Sequence, residues 1–200
     1  MQVRLLSMLS DVQIILVETS HPGNIGATAR AMKNMGLSRL VLVSPKDYPS
    51  VDATARASGA DDILENARVV NNLDDALSGL RVIIGASARV RRLTRPCLNP
   101  NELATKVQDC YQKNQTPVGI MFGRENSGLS NFEIERCHYL VNIPANPDYS
   151  SLNLAASVQV VSYELRLATL QHQSLELQAP DSPIASADAI GRFYTHLEVV

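Results

Sequence analysis

The sequence IPANPDYSSLNL, residues 143–154, lies between an apolar strand pattern and a long amphipathic helix pattern. Two prolines and an Asn-Pro-Asp run end the strand at 140–143, and Ser150 or Ser151 can cap the helix that follows. Apolar residues recur along that helix at steps of four and three, which places them on one face. They are Leu154, Val158, Val161, Leu165 and Ala168. A helix start anchored by this stripe presents backbone N–H groups beside two hydroxyls and the Asn153 amide. The loop is therefore either a polar ligand site or an ordinary capped loop.

Strand and helix patterns alternate along the rest of the chain. Continuous apolar runs at 12–17, 39–43 and 118–122 are typical of strands covered on both faces, and a further strand is predicted at 82–84. Helices are predicted between them, starting near residues 22, 51, 73, 101 and 130. This alternation predicts an α/β fold with a mainly parallel sheet, whose ligand loops lie at the carboxyl ends of the strands.

Composition indicates a globular chain. Of 200 residues, 45% are hydrophobic and 19% are charged, which is enough apolar material to bury a core. No apolar run has the length of a membrane span, and residues 1–10 lack an export signal, so we expect a cytoplasmic protein without membrane contact. The three cysteines and four histidines fit no metal-ligand spacing, so reduced thiols and no metal are expected. A net charge of −2 argues against non-specific coating of nucleic acid.

The pattern changes after residue 173. Residues 174–187 are rich in Gln, Pro, Ser and Asp and have no periodicity, which is typical of a linker. Residues 188–200 start another amphipathic helix, with Ile190, Phe193 and Leu197 on one face. We therefore predict one domain over residues 1–173, a linker, and the start of a C-terminal helical extension that this chain truncates.

The first polar loop, GNIG at 23–26, precedes an arginine on the same helix. Arg30 lies one turn after Gly26 and about two turns after Gly23, and helical side chains lean toward the N-terminus. Its guanidinium can therefore lie back over the two glycines toward Asn24. The alternative is a surface arginine, with glycines that serve close packing.

Two further loops follow predicted strands. In FGRENSGL at 122–129, Glu125 is the only carboxylate, and it can bind a ligand, hold Arg30 or be a solvated turn residue. After the strand at 82–84, a small-residue loop leads into four arginines, which can contact phosphates or form a soluble loop. These are Arg89, Arg91, Arg92 and Arg95.

Taken together, the loops form three ordered motifs. They read NxGxxxR at 24–30, FGxExxGL at 122–129, and IP at 143–144 leading to SLNLA at 151–155. The set resembles the motifs of the SPOUT RNA methyltransferases, in particular their TrmH-type 2'-O branch. The runs VETSHPGNIG at 17–26 and ANPDYSSLNL at 145–154 are similar to the bacterial tRNA enzymes of that branch that methylate the pyrimidine ribose at anticodon-loop nucleotide 32.

The resemblance implies a SPOUT fold with a C-terminal trefoil knot, S-adenosyl-L-methionine as methyl donor and tRNA as substrate. It also implies a homodimer, for which the stripe between Leu154 and Ala168 is the expected surface. The implied catalytic residues are Arg30, Asn24, Glu125, Ser151 and Asn153. The implied cofactor-binding residues are Ala86, Ser87, Ala88, Gly123, Ile143, Ser150, Ser151 and Leu152. Methylation of ribosomal RNA and a non-catalytic module that binds RNA or adenosine are the alternatives.

Overall fold

The computed structural model describes residues 8–88, 95–170 and 185–198. In these ranges, seven parallel strands form one sheet in the order β3-β2-β1-β6-β4-β7-β5. The strands are β1 (Val12–Val17), β2 (Arg39–Val43), β3 (Arg68–Val70), β4 (Val82–Ala86), β5 (Cys97–Leu98), β6 (Val118–Phe122) and β7 (Tyr139–Val141). The helices are α1 (Pro22–Met35), α2 (Val51–Ala57), α3 (Asp61–Glu65), α4 (Leu73–Leu77), α5 (Pro100–Gln112), α6 (Asn131–Glu135), α7 (Leu154–Leu170) and α8 (Ala187–Glu198).

The strands are apolar throughout because both faces of the sheet are covered. Along β1, Ile14 and Leu16 belong to one hydrophobic core, and Ile15 and Val17 belong to the other. Helices α1, α2, α3, α5 and α7 supply the first core, and the short helices α4 and α6 supply the second. The predicted α/β fold, with a parallel sheet and helices on both faces, is confirmed.

Three short elements were missed by the sequence patterns: β3, β5 and α3. A strand of two or three residues is shorter than a stretch in which periodicity is measurable, and β3 exists because it pairs with β2. Strand β7 ends at Val141, so Ile143 lies beyond it rather than within it. Residues 89–94 lie outside the described ranges, and the trefoil knot therefore stays a prediction.

The apolar stripe of α7 lies inside the chain's own core. Leu154 and Ala168, at the two ends of the stripe, are each 7% exposed, and the stripe residues between them are 0% exposed. These are Val158, Val161 and Leu165. Helix α7 packs this stripe against α1 and α5. The prediction that the stripe anchors the preceding loop is confirmed, and the expectation that it forms the dimer surface is wrong.

Both glycines of α1 face α2, and Gly26 is required for their close packing. A Cβ atom at Gly26 would lie 1.9 Å from the carbonyl oxygen of Ala53, so only glycine lets α1 approach α2 this closely. A Cβ at Gly23 would lie 3.6 Å from Cγ of Arg56. The prediction that these glycines clear a path for Arg30 is therefore wrong, because α2 occupies the space.

Helix α8 leaves its apolar side chains in solvent. Ile190, Phe193, Tyr194 and Leu197 are between 47% and 61% exposed. Among the described residues, no helix combines the length and the apolar character that crossing a membrane requires. The division into a domain over 1–173, a linker and an extension stays a prediction.

Candidate active site

A cavity of about 260 Å³ lies at the carboxyl ends of β4, β6 and β7. Ligand sites in α/β sheets lie at this edge, because the loops there are free to vary above a fixed scaffold. All the residues predicted to bind cofactor line this one cavity, together with Glu125. They are Ala86, Ser87, Ala88, Gly123, Ile143, Ser150, Ser151 and Leu152.

One wall of the cavity is the tight loop after β6. Arg124 and Gly128 exchange two backbone hydrogen bonds, of 3.2 and 2.9 Å, which fold the loop back on itself. A Cβ atom at Gly123 would lie 2.2 Å from the carbonyl carbon of Gly128, and Gly128 has φ of +68°. Both positions therefore require glycine if the loop is to keep this shape.

The loop after β4 is fastened to the end of β7. The Ser87 N–H donates to the carbonyl oxygen of Val141 at 2.9 Å, and the Asn142 amide donates to the carbonyl oxygen of Ser87 at 2.8 Å. These bonds fix the position of Ser87 relative to Ile143. Asn142 was not among the predicted site residues, since nothing in its sequence surroundings marks its partner 55 residues away.

The start of α7 is capped by Asn153. Its side-chain oxygen accepts hydrogen bonds from the N–H groups of Ala155 at 2.9 Å and Ala156 at 3.3 Å. The predicted cap at Ser150 or Ser151 is therefore wrong. Residues 150–152 line the cavity instead, and their backbone N–H groups make no hydrogen bond within the described part of the chain.

Glu125 organises a polar network beside the cavity. One carboxylate oxygen accepts from the N–H and the hydroxyl of Ser20, at 3.1 and 2.9 Å. The other accepts from the N–H of His21 at 3.2 Å and from the Asn24 amide at 3.0 Å. The Asn24 side-chain oxygen in turn accepts from the Asn153 amide at 3.0 Å. This network connects the loops after β1 and β6 to the start of α7.

The network keeps Glu125 ionised. Partial burial raises the pKa of the carboxyl, but the hydrogen bonds from Asn24, Ser20 and His21 outweigh that effect and lower the pKa to about 2. A carboxylate with four donors and so low a pKa is a weak base. Its chemical contribution is a fixed negative charge and a fixed orientation of the Asn24 amide.

Arg124, the preceding residue, belongs to a different cluster. Its guanidinium donates to Glu18 at 2.6 and 2.9 Å and to Glu133 at 3.0 and 3.1 Å. Glu133 also accepts from the Ser130 N–H at 2.6 Å, which completes the predicted capping box of α6. Hydrogen bonds to Glu18 and Glu133 raise the pKa of Arg124 above its ordinary value. The ion pair between Arg124 and Glu18 was not predicted, because Glu18 lies 106 positions earlier in the chain.

Arg30 and Arg95, the two predicted arginines among the described residues, lie outside this network. Arg30 is exposed on α1, is not part of the cavity wall and forms no hydrogen bond or ion pair with any described residue. Glu125 therefore does not hold Arg30. Arg95 donates to the carbonyl oxygen of Glu135 at 3.1 Å, at the end of α6. Arg89, Arg91 and Arg92 lie outside the described residues.

The described ranges contain no group of three or more His, Cys, Asp or Glu side chains with the arrangement of a metal site. The three cysteines are free thiols. Burial raises the pKa of the Cys137 thiol to about 12, so this thiol stays protonated at neutral pH.

The parallel sheet, with a cavity built from the loops after β4, β6 and β7, has the architecture of an α/β enzyme with its site at the carboxyl edge. The model of the SpoU rRNA Methylase family matches residues 11–163, and the chain belongs to this family. The predicted SPOUT-type family is thereby confirmed, and with it the prediction that the chain is a methyltransferase.

Several proteins similar to this chain are named as tRNA methyltransferases. The chain is 49% identical over 199 residues to the tRNA (cytidine/uridine/adenosine-2'-O-)-methyltransferase TrmJ of Pseudomonas aeruginosa, covering 96% of this chain and 77% of that protein. A probable methylase family protein of Haemophilus influenzae is 46% identical with a TM-score of 0.77, over 96% of this chain and 78% of that one. TrmJ of Z. mobilis ZM4 is 34% identical with a TM-score of 0.72, over 94% of this chain and 78% of that one.

Proposed function

We propose that the chain methylates the ribose 2'-hydroxyl of a tRNA, with S-adenosyl-L-methionine as methyl donor, at the pyrimidine of nucleotide 32 in the anticodon loop. The observation that carries the proposal is the position of the Asn24–Glu125–Asn153 network, which borders the cavity lined by every predicted cofactor residue. TrmJ relatives with names that specify tRNA 2'-O-methylation support the substrate class. A tRNA-modifying role fits a cytoplasmic location.

The cavity fits S-adenosyl-L-methionine in its chemistry. Its volume of about 260 Å³ is slightly below the volumes of ligand pockets, which begin at roughly 300 Å³. Phe122, Leu129 and Leu154 supply apolar walls suited to an adenine ring. The N–H groups of residues 150–152 are donors without a described partner, so they are available to the polar edge of a ligand.

When bound in this cavity, beside Ser87, Gly123 and Ser151, S-adenosyl-L-methionine would supply an electrophilic methyl group, with the ribose oxygen as its acceptor. The chain has to align these atoms and stabilise the charge that develops on the ribose oxygen. Asn24 and Asn153 are held in place for this by Glu125, with the Ser151 hydroxyl nearby on the cavity wall. Glu125 does not take the proton, because its pKa is about 2.

Arg30 contributes by binding RNA. A guanidinium stays protonated at neutral pH and is a poor general base, but it binds phosphate through two parallel hydrogen bonds. The free and exposed Arg30 side chain can grip the phosphate next to the target ribose and hold the hydroxyl toward the methyl group. In the family each active site draws on both subunits, so this contact also suits an RNA bound across a dimer.

Transfer of a labelled methyl group from S-adenosyl-L-methionine to RNA tests the proposed reaction. We expect incorporation into tRNA and, after nuclease digestion, a 2'-O-methylated pyrimidine at nucleotide 32. Incorporation into ribosomal RNA alone would replace the substrate with the first alternative. Binding of cofactor without incorporation into tRNA or ribosomal RNA would favour the non-catalytic module.

The role of Arg30 is tested by two substitutions. Arg30→Ala is expected to abolish methyl transfer and leave cofactor affinity within a few-fold, because the residue is outside the cavity. Arg30→Lys keeps the charge but loses the planar fork, and it should lose most of the activity. Arg39→Ala, an exposed arginine at the amino end of β2, is the matched control. Near wild-type transfer by Arg30→Ala would show that the active site is misplaced.

The second face of α7 supports a homodimer. Alongside its buried stripe, α7 carries another row of apolar residues at steps of four and three, which is half-buried or exposed. The row consists of Ala156, Val160, Tyr163, Leu167 and Leu170. An apolar helix surface of this kind is covered when it packs against the same helix of a second copy.

Light scattering during size exclusion tests the dimer. The wild-type chain is expected to be dimeric at micromolar concentration, and Leu167→Glu should shift it toward monomer by placing a charge in the interface. Val69→Glu, at an exposed valine of β3, is the control that adds the same charge elsewhere. A monomeric wild-type chain would refute the homodimer.

A further inference from the structure

The side chain of Tyr149 is 82% exposed at the edge of the cavity. It belongs to the loop between β7 and α7, and the next residue, Ser150, lines the cavity wall. The backbone here is well defined: Tyr149 N–H donates to the carbonyl oxygen of Asn146 at 2.9 Å, and Asp148 N–H donates to the Asn146 side chain at 3.0 Å. The turn therefore fixes the position of the Tyr149 backbone.

Three other exposed aromatic residues have a ring or cation contact, and a fourth, Tyr163, lies in the apolar row of α7. The Arg136 guanidinium lies 5.7 Å from the ring centre of Phe132, and the rings of Phe193 and Tyr194 contact each other at 5.9 Å. Within the described residues, the Tyr149 ring has no ring contact, cation contact or side-chain hydrogen bond. Both faces of a large aromatic surface are thus open beside the site.

The charge around Tyr149 selects the kind of group that it can bind. Asp148 is the only charged side chain between residues 144 and 152, and its negative charge repels phosphate. A tyrosine ring binds flat, unsaturated groups by stacking, and single-stranded RNA offers such groups in its unstacked bases. The loop therefore suits a nucleobase rather than the RNA backbone.

We propose that Tyr149 stacks on the base of the nucleotide whose ribose is methylated. The inference rests on the proposed function and adds a base-binding element to the same site. Methyl transfer requires the ribose to be aligned within a fraction of an ångström, and the ribose is attached directly to the base. Holding the base against a ring whose backbone is fixed by the turn restricts the rotation of the sugar. Stacking tolerates different bases, so Tyr149 secures a nucleotide without choosing between cytosine and uracil.

Substitution of the ring tests the proposal. Tyr149→Ala is expected to lower kcat/KM for RNA about 10- to 100-fold, mainly through KM, with cofactor affinity unchanged, because stacking on one aromatic contributes on that scale. Tyr149→Phe and Tyr149→Trp keep the π-face and should retain most of the activity. Phe132→Ala removes an aromatic side chain that is 60% exposed on α6 and is the matched control.

An RNA with an abasic ribose at the target position separates stacking from a structural role of Tyr149. The wild-type protein should bind this RNA more weakly than the intact RNA, whereas Tyr149→Ala should bind the two RNAs equally. Fluorescence anisotropy measures these affinities without turnover. Equal losses on removing the base in wild-type and Tyr149→Ala proteins would overturn the inference.

The same measurements separate a failure of the proposed function from a failure of the role assigned to Tyr149. A wild-type chain that transfers no methyl group to RNA contradicts the proposed function, while the affinity comparison still decides whether Tyr149 recognises a base. A wild-type chain that methylates RNA, with a Tyr149→Ala variant equal to it in kcat/KM, contradicts the inference and leaves the proposed function intact.

Discussion

Arg124 and Glu125 are adjacent in one loop, yet they belong to different parts of the molecule. The Arg124 guanidinium is shared between Glu18 and Glu133, and the Glu133 side chain is only 8% exposed. The Glu125 carboxylate instead binds the loop after β1 and fixes Asn24, which is bonded to Asn153. One residue holds the loop to the scaffold, and the next arranges the groups that face the proposed substrate.

A charged residue at the wall of a cavity is therefore not functional by its position alone. Both residues line the cavity, and both have shifted pKa values. The two residues differ in the charge of their hydrogen-bond partners. Arg124 has its charge neutralised by two carboxylates, so little of its field remains for a ligand. Glu125 receives only neutral donors, so its negative charge remains uncompensated at the edge of the cavity.

The largest effect is expected from removing Glu125. Glu125→Ala should lower the rate of methyl transfer by about 10²- to 10³-fold, because Asn24 loses the partner that orients it. Single-turnover transfer of labelled methyl to tRNA measures this loss. Glu65→Ala, which removes an exposed carboxylate on α3, should change the rate less than two-fold. A Glu125→Ala protein with a near wild-type rate would show that Glu125 has no role in methyl transfer.

Removing Arg124 should act on stability instead. Arg124→Ala leaves the buried Glu133 carboxylate without its cation, and we expect the free energy of unfolding to fall by about 2 to 4 kcal/mol. Urea denaturation measures it. The rate of transfer per folded molecule should stay within about ten-fold of wild type. A stable Arg124→Ala protein with no activity would reverse the roles assigned to the two residues.

The stability of the wild-type chain should depend on the Glu125 carboxylate at acid pH. Its folded pKa of about 2 lies below the ordinary value of 4.5, so the unfolded chain takes up the proton first as the pH falls. The stabilisation is complete above about pH 5 and is lost between there and pH 2. The difference in unfolding free energy between wild type and Glu125→Gln should shrink over that interval. A difference that is constant from pH 7 to 3 would contradict the assigned pKa.

The smallest effects compare the two carboxylates that hold Arg124. Glu18→Gln should cost about 0.5 kcal/mol, because the Glu18 side chain is 47% exposed and water screens its ion pair. Glu133→Gln should cost more, about 1 to 2 kcal/mol, since Glu133 is buried and also accepts from Ser130. Thermal unfolding of both variants gives the order. Equal losses would show that burial does not set the strength of this clamp.

Several features could be predicted from sequence because their causes are local. The apolar runs of β1, β2 and β6 identified those strands with their observed limits. The Ser130 and Glu133 capping box was predicted from two residues three positions apart and is present. The three motifs named the family; the second and third contribute residues to one cavity, and Asn24 of the first is hydrogen-bonded to Glu125 and Asn153 beside it.

The helix α7 shows where such reasoning fails. It carries two apolar rows, and the spacing of either one fits a helix face. Sequence alone could not tell which row is buried in the chain, since the answer depends on how α1 and α5 pack around it. For this reason the dimer surface was expected on a row that the chain buries in its own core. A similar limit applies to Asn153, which caps α7 although the serines before it are also common capping residues.

The longer strands and helices, and the loops of the candidate site at their ends, could be predicted from the sequence. These follow from the period of the apolar residues and from caps, which involve groups only a few positions apart. Tertiary structure alone decided that Glu125 binds Ser20 and Asn24, more than 100 positions away, while Arg124 turns to Glu18 and Glu133. The order of the strands brings β1 beside β6, and only that adjacency places their loops within hydrogen-bonding distance. Such contacts leave no periodic mark in the sequence, because each is a single pair fixed by the packing of the whole sheet.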